Sequence, residues 1–383
     1  MKILFTCRTY FPEIGGAACC VEDIAEALSR AGHDSTIVAS LPSSAVPAKE
    51  RQGHVQILRL DYPPSDVRNF RELLFCIRRS IAFFVALSRA IRREGTEVIC
   101  IGLVGIDSAF IALLNSFRRL RLVVYLHGSE LRSYVKISPA VRWSLRRCLR
   151  RCDAAVAVSE DLRDEAEAFC PGIQHKLFVI PNRVNAERIR GTPAYSHRAP
   201  YVLYAGRLNP VKGAGLLLQA FDMAARRLEG VNLLLAGDGP EQPELKKTAS
   251  RLAASGRIHF LGARPRHQIF ALLRGCELVV VPSVTEACPL IVLEAMAAGK
   301  VVLGSCTTGI RDLILDGETG MLFEPGDAKG LAELLVRFYN SPELRHSLEA
   351  NTKKHADAML DEYQDFLERH IRLLTMPGTN SIR

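Results

Sequence analysis

The chain has 383 residues, 48% of them hydrophobic and 24% charged, enough for two or three domains that each bury a core. Its eleven cysteines form no C-x-x-C pair and no Cys/His set with zinc spacing, which excludes a structural zinc site and predicts reduced thiols in the cytoplasm. The net charge of +9 is uneven: residues 1–195 carry +8 and residues 196–383 carry +1, so any basic surface belongs to the first half.

The opening "MKILFTCR" is a strand; its apolar stretch is too short for a signal peptide. In "FPEIGGAACCVEDIAEAL", Gly15 and Gly16 precede a helix, as a tight turn or as a loop that lets a ligand approach the backbone. Short apolar runs then alternate with helical patterns: "STIVAS", "VQILRL", "EVICIG", "LRLVVYL", "AAVAVS" and "LFVIP". Residues 98–117 carry one charge, Asp107, and could span a bilayer on length. Gly102 and Gly105 split them instead into a buried strand, a loop and a helix. Two segments predict basic amphipathic helices. Residues 68–95 hold seven Arg and two Glu, with Phe70, Leu73, Leu74, Ile77, Ile81, Phe84 and Val85 at helical spacing. Residues 132–151 hold seven basic residues, no acid and the only tryptophan, Trp143. Their apolar faces pack on the first sheet or lie on an anionic membrane. Between them, "VVYLHGSELRSY" sets His127 and Gly128 at a strand end, and "VIPNRVNAE" sets Asn182 there.

A polar, Pro- and Gly-containing hinge at 191–200 separates a second half with the same grammar: "YVLYAG", "VNLLLAG", "IHFLG", "LVVVP" and "VVLGS". The polar candidates again fall at the carboxyl ends of strands. "AGRLNPVKG" puts Arg207 and Lys212 between a strand and a helix N-terminus, either a solvated basic loop or a diphosphate site. "LLLAGDGPEQPEL" offers Gly237 and Gly239 for backbone approach, with Pro240 opening a helix. In "TEACPLIVLEAMAAGK", Pro289 and Gly299 bound a helix over 289–298, with Glu286 in the loop before it and Glu294 inside it. A final helix spans about 343–374. Strands alternating with helices predict an α/β protein of two doubly wound, parallel-sheet, Rossmann-like domains facing a cleft. The predicted boundaries are 1–195, 196–360 and a C-terminal helix and tail, 361–383, that packs back on the first domain.

Together these residues resemble the retaining glycosyltransferases of family four, which have the GT-B architecture. The resemblance covers most of the chain, from "FPEIGG" to "DGETGMLFEPGD". It implies that Glu286 and Glu294 form the family's E-x7-E motif, Glu286 facing the donor sugar and Glu294 holding the ribose hydroxyls. The N–H groups at Cys288, Pro289, Leu290 and Ile291 would meet sugar and phosphate oxygens, proline excepted. It implies a diphosphate clamp of Arg207 and Lys212, a donor-side loop at Gly15 and Gly16, and a histidine near the reacting sugar, His127. Gly237 and Arg264 would lie on the donor, the latter by the base. Three departures stand out: "HGSE" for the family's usual HGxD, Asn182-Arg183-Val184-Asn185 for NGVD, and "TGIRDLI" for a Gly-Gly-x-x-Glu segment, with Asp312 at the acidic place.

The expected partners are a nucleotide-diphosphate sugar and a saccharide, glycolipid or small-molecule acceptor, with an anionic membrane surface as a further candidate. No cofactor is implied. No D-x-D occurs, so no essential metal is expected, and no nucleic-acid motif accompanies the basic half. A non-catalytic nucleotide-sugar-binding protein or a sugar epimerase of the same fold remains the alternative.

Overall fold

The computed structural model describes residues 1–8, 10, 15–41, 47–52, 55–62, 70–105, 107–118, 120–134 and 138–376. Of these, 52, 70–77, 114–118, 134, 358, 360 and 361 are described by their backbone alone. The chain forms two compact units, Met1–Pro181 with Phe366–Arg383, and Asn182–Asp365.

The first unit is built on an eight-stranded sheet: β1 (Lys2–Cys7), β2 (Asp34–Ser40), β3 (Lys49–Gln52), β4 (Val55–Leu60), β5 (Val98–Ile101), β6 (Arg121–Leu126), β7 (Ala154–Ala157) and β8 (Leu177–Val179). The spatial order is β3-β4-β2-β1-β5-β6-β7-β8, parallel except for the β3/β4 pair. Helices α1 (Gly16–Arg30), α2 (Phe70–Glu94), α3 (Ser108–Arg118), α4 (Pro139–Arg151) and α5 (Glu160–Phe169) supply the crossovers. Every residue of β5 and β7 is buried, as parallel strands covered on both faces require. The 98–117 segment is the expected strand, loop and helix, and no helix among the described residues is long and apolar enough to cross a membrane.

The second unit carries a six-stranded sheet: β9 (Tyr201–Ala205), β10 (Asn232–Ala236), β11 (Ile258–Gly262), β12 (Leu278–Val281), β13 (Val301–Ser305) and β14 (Gly320–Phe323). Its order is β11-β10-β9-β12-β13-β14, wholly parallel. The helices are α6 (Ala186–Arg190), α7 (Ala214–Ala224), α8 (Gln242–Ala249), α9 (Arg266–Gly275), α10 (Leu290–Ala297), α11 (Thr308–Arg311), α12 (Ala328–Asn340) and α13 (Pro342–Thr375). Val202, Leu217, Phe221, Leu235, Leu303 and Phe338 lie at the centre of its core.

The units part at Pro181/Asn182, upstream of the expected hinge. The reason is local bonding. Asn182 Nδ2 donates to the Cys288 carbonyl at 2.9 Å, and Arg190 Nε to that of Ala297 at 3.2 Å, which ties α6 to the second unit. The 191–200 segment also lies within that unit, where Tyr195 N donates to the Ala271 carbonyl at 2.8 Å. At the other end, α13 begins in the second unit and its last turns belong to the first. There Phe366, His370, Leu373 and Leu374 are buried, and Arg369 Nη2 donates to the Val179 carbonyl at 2.7 Å.

Candidate functional site

In the second unit, chain order reverses between β9 and β12, which neighbour each other while β10 and β13 lie outside them. Open α/β sheets take ligands outside the strand ends at this kind of switch point. The loops leaving β9 and β12 meet there. Val284 N donates to the Val211 carbonyl at 2.8 Å, and Lys212 Nζ lies 2.5 Å from Glu286 Oε1. Ser283 Oγ donates to the same carboxylate oxygen at 2.7 Å. The Glu286 side chain is 10% exposed and that of Lys212 33%, so one face of the pair is open to a ligand.

Local chemistry fixes this loop. Asn209 Oδ1 accepts from Lys212 N at 3.1 Å, capping the short turn that presents the lysine. Gly213 then takes φ +68°, and a Cβ there would sit 2.0 Å from the Pro282 carbonyl oxygen. Only glycine permits so close a passage of the two loops. Gly237 is set similarly against the β9 loop, since a Cβ on it would meet the Gly206 carbonyl oxygen at 1.8 Å. This contact brings two strand-end loops together. Arg207 is exposed beside this group and makes no ion pair among the described residues.

Helix α10 starts one residue later than expected: Pro289 is its N-cap, with extended backbone, and Leu290 its first helical residue. Gly299, at φ +71°, follows its end as expected. The N–H groups of Leu290 and Ile291 lie in the first turn, where α-helices leave donors without intrahelical partners. Asn182 holds the turn before them through the Cys288 carbonyl. Burial pushes the Cys288 thiol up to about 11, so it stands here as a neutral group. Gly309 supports the same turn, because a Cβ there would come within 2.5 Å of the Ala287 carbonyl. This is the segment that departs from Gly-Gly-x-x-Glu, and its glycine is required by contact.

Glu294 is buried inside α10, with Arg266 Nε 3.5 Å from its Oε1. Arg264, expected beside the base, is exposed. The second departure also has a structural reading. Asn185 Oδ1 accepts from Arg188 N at 2.8 Å and so caps α6, the work an aspartate could do there. Arg183 Nε pairs with Glu362 at 2.7 Å.

In the first unit, Gly15 is the N-cap of α1 with extended backbone, and its carbonyl accepts from Ala18 N at 3.0 Å; Gly16 opens the helix. Residues 11–14 of the same loop lie outside the described residues. His127 follows β6, half-buried, with Nε2 unpartnered among the described residues. Burial pulls its pKa down to about 4 against an opposing backbone hydrogen bond at Gly102, so the ring is neutral at ordinary pH. Two groups lie beside it. Tyr125 stacks on His127 at 6.3 Å between centroids and on His370 of α13 at 5.7 Å. Glu130 accepts from His127 N at 3.1 Å through Oε2.

Three residues of the expected α2 stripe, Ile81, Phe84 and Val85, have described side chains. Among the described side chains of α2, Ser80, Phe83, Leu87, Ser88, Ala90 and Ile91 are buried, while Ile81 is 60% exposed and Val85 points outwards. The side chains of Phe70, Leu73, Leu74 and Ile77 lie outside the described residues. On α4, Val141, Ser144, Leu145, Cys148 and Leu149 face inwards and Trp143 is 58% exposed. Among the described residues no three His, Cys, Asp or Glu side chains gather as a metal would need.

Two parallel doubly wound sheets, with a charged loop pair and a helix start at the switch point of the second, define the GT-B class of glycosyltransferases. The family model for glycosyltransferase family 4 matches residues 14–188, and that for glycosyl transferases group 1 matches residues 185–355. The chain is 26% identical to alpha-D-kanosaminyltransferase of Streptomyces kanamyceticus, covering 75% of this chain and 80% of that one. It is 25% identical to N-acetyl-alpha-D-glucosaminyl L-malate synthase of Bacillus anthracis, covering 91% and 90%. The fold matches sucrose-phosphate synthase from Thermosynechococcus elongatus with a TM-score of 0.76 at 20% identity, covering 97% and 98%. The chain belongs to the family-4 glycosyltransferases of GT-B fold, which transfer a sugar from a nucleotide sugar.

Proposed function

We propose that the chain is a metal-independent retaining glycosyltransferase whose donor is a nucleotide-diphosphate sugar. The observation that carries this reading is the meeting of Lys212, Glu286 and the start of α10 at the switch point of the second sheet. Two developing negative charges on a departing diphosphate suit a lysine, the exposed Arg207 and a helix N-terminus. Glu286 faces the donor sugar, and Glu294, held by Arg266, receives the ribose hydroxyls. In the reaction the anomeric carbon–oxygen bond to the diphosphate breaks and a bond to an acceptor hydroxyl forms. The hydroxyl proton leaves with the nucleoside diphosphate. Much of the rate comes from holding donor and acceptor in place.

The acceptor side belongs to the first unit, with His127 beside the reacting sugar. The acceptor is a lipid-linked, saccharide or small-molecule hydroxyl, and the enzyme works on the cytoplasmic side of a membrane that it touches peripherally. Exposed Ile81, Val85 and Trp143, among arginines of α2 and α4, support contact with an anionic surface.

The test is turnover of a nucleotide-sugar panel, with product anomer assigned by NMR, run with and without excess EDTA. Retained configuration and chelator-resistant turnover are expected. Binding without turnover would favour a non-catalytic nucleotide-sugar-binding protein. An altered sugar still on its nucleotide would favour an epimerase, and an inverted product would end the retaining assignment.

A further inference from the structure

Glu130 is fully buried, one strand-end turn after β6, in a five-residue π-helix (Glu130–Tyr134). Such turns concentrate at functional positions. Its Oε2 reaches back to His127 N at 3.1 Å, and the backbone N–H groups of Gly128 and of Glu130 itself also favour its ionised form. Gly128, at φ +106°, makes the sharp turn that brings these donors together, and its carbonyl accepts from Arg132 N at 2.9 Å. The second carboxyl oxygen, Oε1, is buried with no hydrogen-bond partner among the described residues.

Among the described residues no cation neutralises this acid. Arg132, on the same turn, is committed to Glu165 of α5, with Nη2 at 2.8 Å and Nε at 3.0 Å from Oε1. Helix α4 turns Val141, Ser144 and Leu145 inwards, none of them a charge. His127, at the end of β6, is neutral, as is His370 beyond Tyr125, whose own pKa burial lowers to about 4. A buried carboxyl without a partner charge is costly, and an amide could cap the same turn without that cost.

We propose that Glu130 is a positioning residue for His127: its carboxylate clamps the His127–Gly128 turn, and taking up a proton loosens that turn and lowers activity. This rests on the role of His127 in the proposed reaction. Burial pushes the Glu130 carboxyl up to about 7, against the pull of its three backbone donors. The charged form makes the stronger hydrogen bonds. His127 itself, at about 4, cannot supply an ionisation near neutrality.

The test is hydrogen–deuterium exchange of the segment 126–134 in the full chain, from pH 6 to 8, corrected for intrinsic rates. The wild-type amides of His127 and Gly128 should exchange roughly 10-fold more slowly at pH 8 than at pH 6, the ratio expected between charge-assisted and neutral bonds. Glu130→Gln, of equal size, should abolish the step. The wild-type titration needs no variant, so an absent step overturns the clamp even if Glu130→Gln fails to fold. A step that survives in Glu130→Gln also overturns it. In the second arm, kcat/KM for nucleotide-sugar turnover should fall below about pH 7 in the wild type, and Glu130→Gln should show lower kcat, unchanged donor KM and no such limb. If no nucleotide sugar is turned over, the proposed reaction fails, and the exchange arm still decides the clamp.

Discussion

Replacing His370 by phenylalanine should make the first unit less sensitive to acid. His370 is 2% exposed, its Nδ1 lies 2.8 Å from the Phe366 carbonyl, and its ring stacks on Tyr125. Burial, with smaller repulsion from Arg369 and His127, lowers its pKa from 6.5 to about 4, while the backbone contact opposes this. A group with a depressed folded pKa contributes stability that is present above its unfolded value, here 6.5, and lost as pH falls through about 4. The full shift corresponds to roughly 3 kcal/mol, of which about 2 kcal/mol is lost by pH 5. Phenylalanine keeps the stack and cannot take a proton. Trp143, the only tryptophan, lies in the first unit, so its fluorescence reports that unit's unfolding in urea. Between pH 7.5 and 5.0 the wild type should lose about 2 kcal/mol more than the His370→Phe variant. Glu130 titrates in both proteins and cancels in the difference. Equal losses would refute the assignment of His370 as a buried neutral base.

Three further outcomes follow from the site. Arg207→Ala and Lys212→Ala should each cut turnover by roughly 10²-fold. Thermal melting should separate them: Arg207 is exposed, whereas loss of Lys212 removes a cation from Glu286 and should lower Tm. Gly213→Ala should cost both stability and turnover because its Cβ meets the Pro282 carbonyl oxygen at 2.0 Å. Gly299→Ala has a similar φ with nothing within 4 Å, and should cost only ~1 kcal/mol in denaturant titration. In liposome co-sedimentation, binding should need anionic lipid, weaken with salt and fall when Arg142 and Arg150 become Ser and Trp143 becomes Ala. Equal partitioning onto neutral and anionic vesicles would refute the electrostatic part.

Most strands were legible because a parallel strand buried on both faces is written as an uninterrupted apolar run; "VICI" and "LVVV" leave little else to conclude. The two strands without that signal explain themselves. β3 is "KERQ", an antiparallel edge strand with no apolar run, and β14 is the four-residue "GMLF" inside a glycine-rich segment. Lys212 and Glu286 were legible because strand-end loops carry chemistry in this architecture, and their direct pairing is what the structure adds. Arg266 and His370 were not, and Glu130 was visible only as the acid of "HGSE". Each acts through a neighbour distant in sequence or through a backbone amide, and periodicity carries no record of such contacts. In α2 the residues from Ile81 to Leu87 are all apolar, so spacing alone does not say whether Phe83 or Ile81 turns inwards.

The path of α13 constrains how the molecule is made. A chain emerging from the ribosome has every strand of the first sheet by residue 179, yet Phe366, His370, Leu373 and Leu374 still have to be synthesised. Until they arrive, Tyr125 lacks its His370 neighbour and the Val179 carbonyl lacks Arg369. The second unit, by contrast, is complete at Asp365. The order of completion is therefore the reverse of the order of synthesis, and the N-terminal sheet must wait, partly uncovered, for residues 366–374.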